Sequence, residues 1–342
     1  MKNIGTTSKL KVGLSKVGLY PPRKVYHQMR YCLCQPGREE ELKKILKKYP
    51  DAVRWEKEGD MQPIDYAIWQ RQLGSAEALI KCDPTIMKDK QQNGGSVLQA
   101  AVSKGNVGLF NFLKGLGADA LQIDAEGNNL LHVVAQSRFH PEMIPLLLAE
   151  GVDPKARNAK GESPLFITAR TGGGTLLDEF YKLDPDINQR DGKGETMLMA
   201  AAGGRDGDSA TIKRLAQLGA DLDAKRGDGA SALDIALRHY NPDSAMQLIE
   251  SGAELDLNHP SLKSCMDFFR ECGDIGFDML IDEKKQEVAE KEARRLAAEA
   301  AAQAAAKEQA RLDDITRTMD ACTDGTRQTV TVKKPLQLKA KP

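Results

Sequence analysis

GVDPKARNAKGESPLFITAR, residues 151–170, returns in altered form elsewhere in the chain. GADALQIDAEGNNLLHVVA spans residues 117–135, and GADLDAKRGDGASALDIAL spans residues 219–237. These lines align without gaps from the leading triplet to the pairs Leu131-His132, Leu165-Phe166 and Leu233-Asp234. More worn copies read LDPDINQRDGKGETMLMAAA at 183–202, KDKQQNGGSVLQAAV at 88–102 and EGDMQPIDYAI at 58–68. The leading triplets begin at Gly117, Gly151, Asp184, Gly219 and Gly252, at spacings of 34, 33, 35 and 33 residues. A period in that range signals a solenoid of stacked units.

Each unit has a physical reading. Gly127, Gly161, Gly194 and Gly229 sit among polar residues where a tight turn needs positive φ. Ser163-Pro164-Leu165 then offers a helix cap followed by a proline suited to the first turn. The short helix that follows carries small residues such as Ala101, Ala135, Ala169 and Ala202, which let neighbouring helices approach closely. A second helix spaces apolar residues helically: Leu109, Phe110, Phe112 and Leu113; Ile144, Leu147 and Leu148; Ile212, Leu215 and Leu218; Met246 and Ile249. It ends at Gly117, Gly151, Gly219 or Gly252, where glycine tolerates the left-handed conformation of a helix C-terminus.

Asn129-Leu130-Leu131-His132-Val133-Val134-Ala135 and Ser163-Pro164-Leu165-Phe166-Ile167-Thr168-Ala169 each resemble part of the T-P-L-H-x-A-A signature of the ankyrin-repeat family. Gly117-Ala118-Asp119 and Gly219-Ala220-Asp221 resemble its G-A-D. The resemblance covers residues 59–260 and implies an all-α fold, a solenoid of about six to seven helix-turn-helix units with β-hairpin loops. Worn end caps are expected at 39–53 and 261–281. The expected organisation is a basic segment at 1–28, the capped array at 29–281, an Ala-rich helix at 282–322 and a basic tail at 323–342. The copies depart from the signature: only His132 fills the histidine position, with Asp65 and Asp234 at its equivalents. Extra residues stand around Arg138–Pro141 and Gly203–Asp206.

Composition excludes several classes of function. Lys plus Arg balance Asp plus Glu at 49 each, and aromatics are 5%, so bulk attraction to nucleic acid is not expected. The balance hides basic ends: residues 1–38 carry eight cations from Lys2 to Arg38 and no acid. No run approaches the roughly 18 apolar residues that cross a membrane, and the N-terminal stretch lacks the apolar run of a secretory signal. The six cysteines are scattered and suit reduced thiols and a cytoplasmic protein. In the Ala-rich stretch, Glu287/Lys291 and Glu290/Arg294 support a long helix. Its apolar residues, Val288, Leu296, Leu312, Ile315 and Met319, leave open a solvated helix, one packed on the array, or self-association through 283–321.

No constellation supports catalysis, a cofactor or a metal. Thr171-Gly172-Gly173-Gly174-Thr175 lacks the ending of a phosphate loop and falls where a unit links its two helices. His259, Cys265 and Cys272 match no common zinc spacing, and Cys32-x-Cys34 has no second pair. His132 reads as a structural histidine bonded to turn backbone. The protein is therefore expected to be a non-catalytic scaffold that binds a protein partner. The family resemblance implies that loop tips and the concave helix face make the contact. Carried over, the binding residues are Arg157, Asn158 and Lys160; Gln189, Arg190 and Lys193; Lys225, Arg226 and Asp228, beside the further tip residues Asp124, Glu126 and Asp191. The Arg157–Lys160, Gln189–Lys193 and Lys225–Asp228 tips together offer six cations beside two acids, suited to a mixed-charge surface. Two alternatives stand beside this reading: an effector delivered into a host cell with the basic tail as its address, and a targeting or regulatory subunit of an enzyme.

Overall fold

The computed structural model describes residues 23–54, 61–88, 95–204, 209–271 and 276–323. Among them are sixteen α-helices and two 3-10 turns, in two compact units, Met1–Cys272 and Gly273–Pro342. The first unit is a succession of helix pairs: α1 (Arg23–Cys34) and α2 (Glu39–Lys48), α3 (Pro63–Trp69) and α4 (Leu73–Cys82), α5 (Val97–Ser103) and α6 (Val107–Gly115). Next come α7 (Leu130–Ser137) and α8 (Met143–Ala149), α9 (Pro164–Thr171) and α10 (Gly174–Leu183), and α11 (Met197–Ala202) and α12 (Ser209–Gln217). The last pair is α13 (Ala232–Arg238) and α14 (Pro242–Glu250), followed by α15 (Pro260–Glu271).

The first helices of successive pairs pack on one another from α1 through to α15, forming one continuous layer. The small residues make that approach close: Ala67, Ala101, Ala201 and Ala236 are buried at one register position, and Ala135, Ala169 and Ala202 at the next. Beside them Ile64, Leu98, Leu131, Leu165, Leu198 and Leu233 are buried at one register. The second helices bury Leu109, Phe110 and Leu113, or Leu176, Leu177 and Phe180, on the facing side. Each fully buried side chain of this size contributes about 1.5–3 kcal/mol, and no unit could bury its stripe without a neighbour.

Caps set the period. The side chains of Ser96, Asn129, Ser163, Thr196 and Ser231 each accept the N–H of the third helical residue. Pro164 fills the first position of α9. At the other end of the second helices, Gly117, Gly151, Gly219 and Gly252 take φ of 88°, 81°, 88° and 102°. The following N–H then reaches back five residues, as in Ala118 N–H to Leu113 O at 3.0 Å and Ala220 N–H to Leu215 O at 3.0 Å. The triple glycine is a connector, with Gly172 (φ 75°) closing α9 and Gly174 opening α10.

The ends differ in detail from the sequence reading. An additional amphipathic helix, α1, precedes the expected first cap and buries Tyr26, Met29, Cys32 and Leu33. The expected hairpin loops are turns: among the described residues the only β feature is an isolated antiparallel bridge, Arg190 to Thr196. In the second unit α16 (Gly276–Thr323) runs 48 residues and begins inside the segment expected to cap the array. Phe277 and Ile281 are buried, whereas Val288, Leu296, Leu312, Ile315 and Met319 are exposed. Among the described residues, no helix is long and apolar enough to cross a membrane.

Candidate functional site

The loop tips between pairs are built by one repeated device. Asp124, Asn158 and Asp191 each fold a side-chain oxygen back onto two backbone N–H groups of their own turn. Asp124 Oδ1 accepts from Glu126 and Asn128 at 2.8 Å, Asn158 Oδ1 from Lys160 and Glu162 at 3.0 Å, and Asp191 Oδ1 from Lys193 at 2.9 Å and Glu195 at 2.8 Å. Such side-chain turns are why Asx residues dominate these positions. Adjacent tips then bond to each other directly, Ala159 N–H to Glu126 O at 2.8 Å and Gly192 N–H to Lys160 O at 2.7 Å.

Two arginines fasten the tips across the repeat. Arg157 Nη1 donates to Gly161 O in its own turn at 2.8 Å and to Arg190 O in the next at 3.0 Å. Arg190 Nη1 repeats this with Gly194 O at 2.7 Å and Lys225 O at 3.0 Å. Arg226 works in the opposite direction, pairing with Glu195 of the preceding turn and with Asp228 through Nη2 to Oδ2 at 2.6 Å. That guanidinium, with the Ala230 N–H, holds the Asp228 carboxyl well below the usual carboxylate range.

The nine tip residues chosen from sequence therefore separate into groups. Asn158 (8% exposed) and Gln189 (3%) are buried, a correction to their assignment as contact residues. Asn158 Nδ2 donates to Asn128 Oδ1 at 2.9 Å, and Gln189 accepts from Ser163 Oγ at 2.6 Å while donating to Asp186 O at 2.9 Å. Their amides complete the turns rather than face outward. Arg157, Arg190, Arg226 and Asp228 are engaged within the array as described. Lys160, Lys193 and Lys225 remain as exposed ammonium groups at successive tips, with Lys160 paired only distantly to Glu126 at 3.8 Å.

His132 is fully buried at the third position of α7, accepting the Asn129 N–H on Nδ1 at 3.1 Å. Nε2 lies 3.1 Å from Glu162 O of the following turn, so the ring bridges two units. Burial lowers its pKa, and the neutral form with hydrogen on Nε2 fits both bonds. Gln99 and Met199 take the same place in their helices, and Asp234 completes it with His259 at 3.2 Å. His259 and Cys265 thus have other engagements: the Cys265 thiol donates to Leu237 O at 2.7 Å and its pKa is pushed up to about 11 by burial. Cys272 lies outside the described residues, as do residues 1–22 and 324–342, the latter nearly all of the basic tail that the effector alternative takes as an address. Among the described residues, no group of three or more His, Cys, Asp or Glu side chains could hold a metal ion.

Comparison with known proteins agrees with this geometry. A protein named L-asparaginase from Dirofilaria immitis is 28% identical over 156 residues, 45% of this chain. The chain spans about a quarter of that protein's length, 26%. The family described as Ankyrin repeats (3 copies) matches residues 65–158, 98–191 and 165–259, together more than half of the chain. With the stacked helix pairs and capped turns, this establishes that the chain belongs to the ankyrin-repeat family.

Proposed function

We propose that the protein is a non-catalytic interaction scaffold whose tips, at Lys160, Lys193 and Lys225, engage an acidic patch on a protein partner. The observation that carries this is a contrast between groups at the same tips. Turn backbone is clamped by Arg157 and Arg190, and the acids Asp191 and Asp228 are occupied within the array. Lys193 and Lys225 are left as exposed charge on a rigid row, with Lys160 beside them held only by a 3.8 Å pair to Glu126. Preorganised charge of this kind raises association rate and selects partners by sign.

The test is affinity capture from the source-cell lysate with the wild-type chain and a Lys160→Glu, Lys193→Glu, Lys225→Glu variant. Proteins held by wild type and lost from the variant, at unchanged melting temperature, are the expected result. An identical captured set from both chains removes the tips from recognition. The arginines are unsuitable probes because changing them also opens the turns.

A second reading is that the array targets or regulates an enzyme, and the similarity to a protein named L-asparaginase favours it. If the captured partner is an enzyme, adding the purified chain should shift its turnover or its location. No shift in either leaves the simple scaffold.

A further inference from the structure

The aromatic side chains exposed among the described residues are Tyr31, Trp69, Phe139, Tyr240 and Phe268. All lie at the C-terminal ends of the first-layer helices. Tyr31 and Phe268 are in the last turns of α1 and α15, Trp69 ends α3, and Phe139 and Tyr240 directly follow α7 and α13. The lysine-bearing tips precede the N-termini of these same helices, so the aromatic edge is the opposite one. Cations interleave with the aromatics: Arg30, Arg71, Lys104, Arg138, Arg170 and Arg238. Of these, Arg170 pairs with Glu162 at 2.9 Å and Arg238 with Asp228 at 3.7 Å. Lys104 makes no ion pair among the described residues. The acids of these connections, Glu39 to Glu41, Glu142 and Asp243, open the second helices instead.

The Phe139 loop is built to hold that ring out. The connection from α7 to α8 is longer than its counterpart between α5 and α6, and the residues on either side of Phe139 are both left-handed, Arg138 at φ 63° and His140 at φ 88°. Neither is glycine, so each conformation is disfavoured for its side chain and must be fixed by surroundings. Several contacts fix them. Arg71 donates to Lys104 O and lies 3.1 Å from His140 Nε2, and His140 Nδ1 is 3.1 Å from Glu142. Ser137 Oγ bridges Val134 O at 2.7 Å and Phe139 O at 2.9 Å. Phe139 emerges 68% exposed. It overhangs a groove of about 680 Å³ between α5 and α7, lined by Gln99, Ser103, Lys104, Val133 and Gln136. On the far lip the Asp124 carboxylate is already taken by turn amides, and Glu126 faces Lys160.

We infer that this edge binds an extended acidic peptide segment, with an apolar side chain seated beneath Phe139 and a carboxylate on Lys104. Spacing decides against a stack of nucleobases. Successive layers are ~8–10 Å apart, and Trp69 and Phe139 are two layers apart, too far for consecutive bases. An extended chain advances ~3.3 Å per residue, so it meets a new layer about every third residue. The partner segment should accordingly carry an acid about three residues from a large apolar anchor.

The test pans the full-length chain against a displayed library of random peptides of about twelve residues, enough to cross three to four layers at ~3.3 Å per residue. The enriched peptides are then titrated by fluorescence anisotropy. The expected result is enrichment of acidic peptides with an aromatic or large aliphatic anchor. Phe139→Ala and Lys104→Glu should each weaken them about tenfold, with added salt weakening them further. Both side chains are at the surface. Should Phe139→Ala melt lower than wild type, Lys104→Glu alone decides. Lys225→Glu, at a tip that does not line the groove, should bind as wild type, which separates this surface from the tip surface proposed above. No enrichment, enrichment of basic or neutral peptides, or variants that bind like wild type overturns the inference. So does a labelled oligothymidylate that binds more tightly than the peptides and is lost with Phe139→Ala.

Discussion

His132 joins two units through one ring, and its removal should be felt in both. His132→Ala leaves the Asn129 N–H and the Glu162 carbonyl without their partner and opens a cavity, so a loss of about 2–4 kcal/mol is expected in urea unfolding. His132→Gln should cost less, because Gln99 already returns a bond of 2.8 Å to the Ser96 N–H at the equivalent place. The ring also sets a pH dependence. Its folded pKa lies below the ordinary histidine value, so as pH falls below about 6.5 the unfolded chain takes up the proton first. Stability from this group is thus complete above about pH 6.5 and declines below it by up to ~1.4 kcal/mol per pH unit. Unfolding at pH 7.5 and 5.5 should show that slope in wild type and its reduction in His132→Gln; equal slopes would assign the dependence to other groups. The structural role of this histidine was legible because it sits in a recognisable helix start. Asp234 was legible at the same place; that it draws in His259 from the next turn was not, since that partner lies 25 residues further on.

At the scale of the element, the tips are packed edge to edge, and glycine is required where they touch. A Cβ on Gly161 would stand 2.6 Å from the Gly192 backbone nitrogen, whereas one on Gly194 would meet nothing within 4 Å. Both residues have positive φ, 77° and 78°, so Ala at Gly194 should cost only the conformational penalty, about 1 kcal/mol. Ala at Gly161 should cost at least about twice that, because backbone rather than a flexible side chain must move. Thermal melts of the two variants measure the difference, and equal losses would mean the tips are not in contact in solution. The turn glycines, caps and helix pairs were all readable, since each follows from local chemistry repeated at one period. Asn158 and Gln189 were misread because polarity alone suggested exposure. The clue was register, because Asn158 aligns with Asp124 and Asp191, whose side chains are bonded to their own turns.

For the whole molecule, the two units should report separately on heating. The array is a chain of nearest-neighbour interfaces and should melt cooperatively. By contrast, α16 is mostly exposed beyond Ile281 and is held by helix propensity and pairs such as Glu290–Arg294 at 3.4 Å. A peptide covering residues 284–323 should be partly helical in the cold and lose ellipticity gradually, independent of concentration. A sharp, concentration-dependent melt would instead reveal self-association through Leu312, Ile315 and Met319. The sequence made this helix visible through its alanines, but its thin apolar stripe carried no information on what it meets. The arginine clasps have a further bearing, on how such a chain can change length. Arg157 and Arg190 each present the same outward reach and the same carbonyl to be grasped. A recombination joining the codon of the first to the sequence after the second would delete one module and restore an unbroken clasp onto Lys225. Arg226 reaches backward to Glu195, so a junction made there would leave a charge without its counterpart. The two modules that carry the clasp are thus matched at that junction, Ile123 standing where a third would need its arginine, and the reversal at Arg226 marks where trimming or growth by this route should stop.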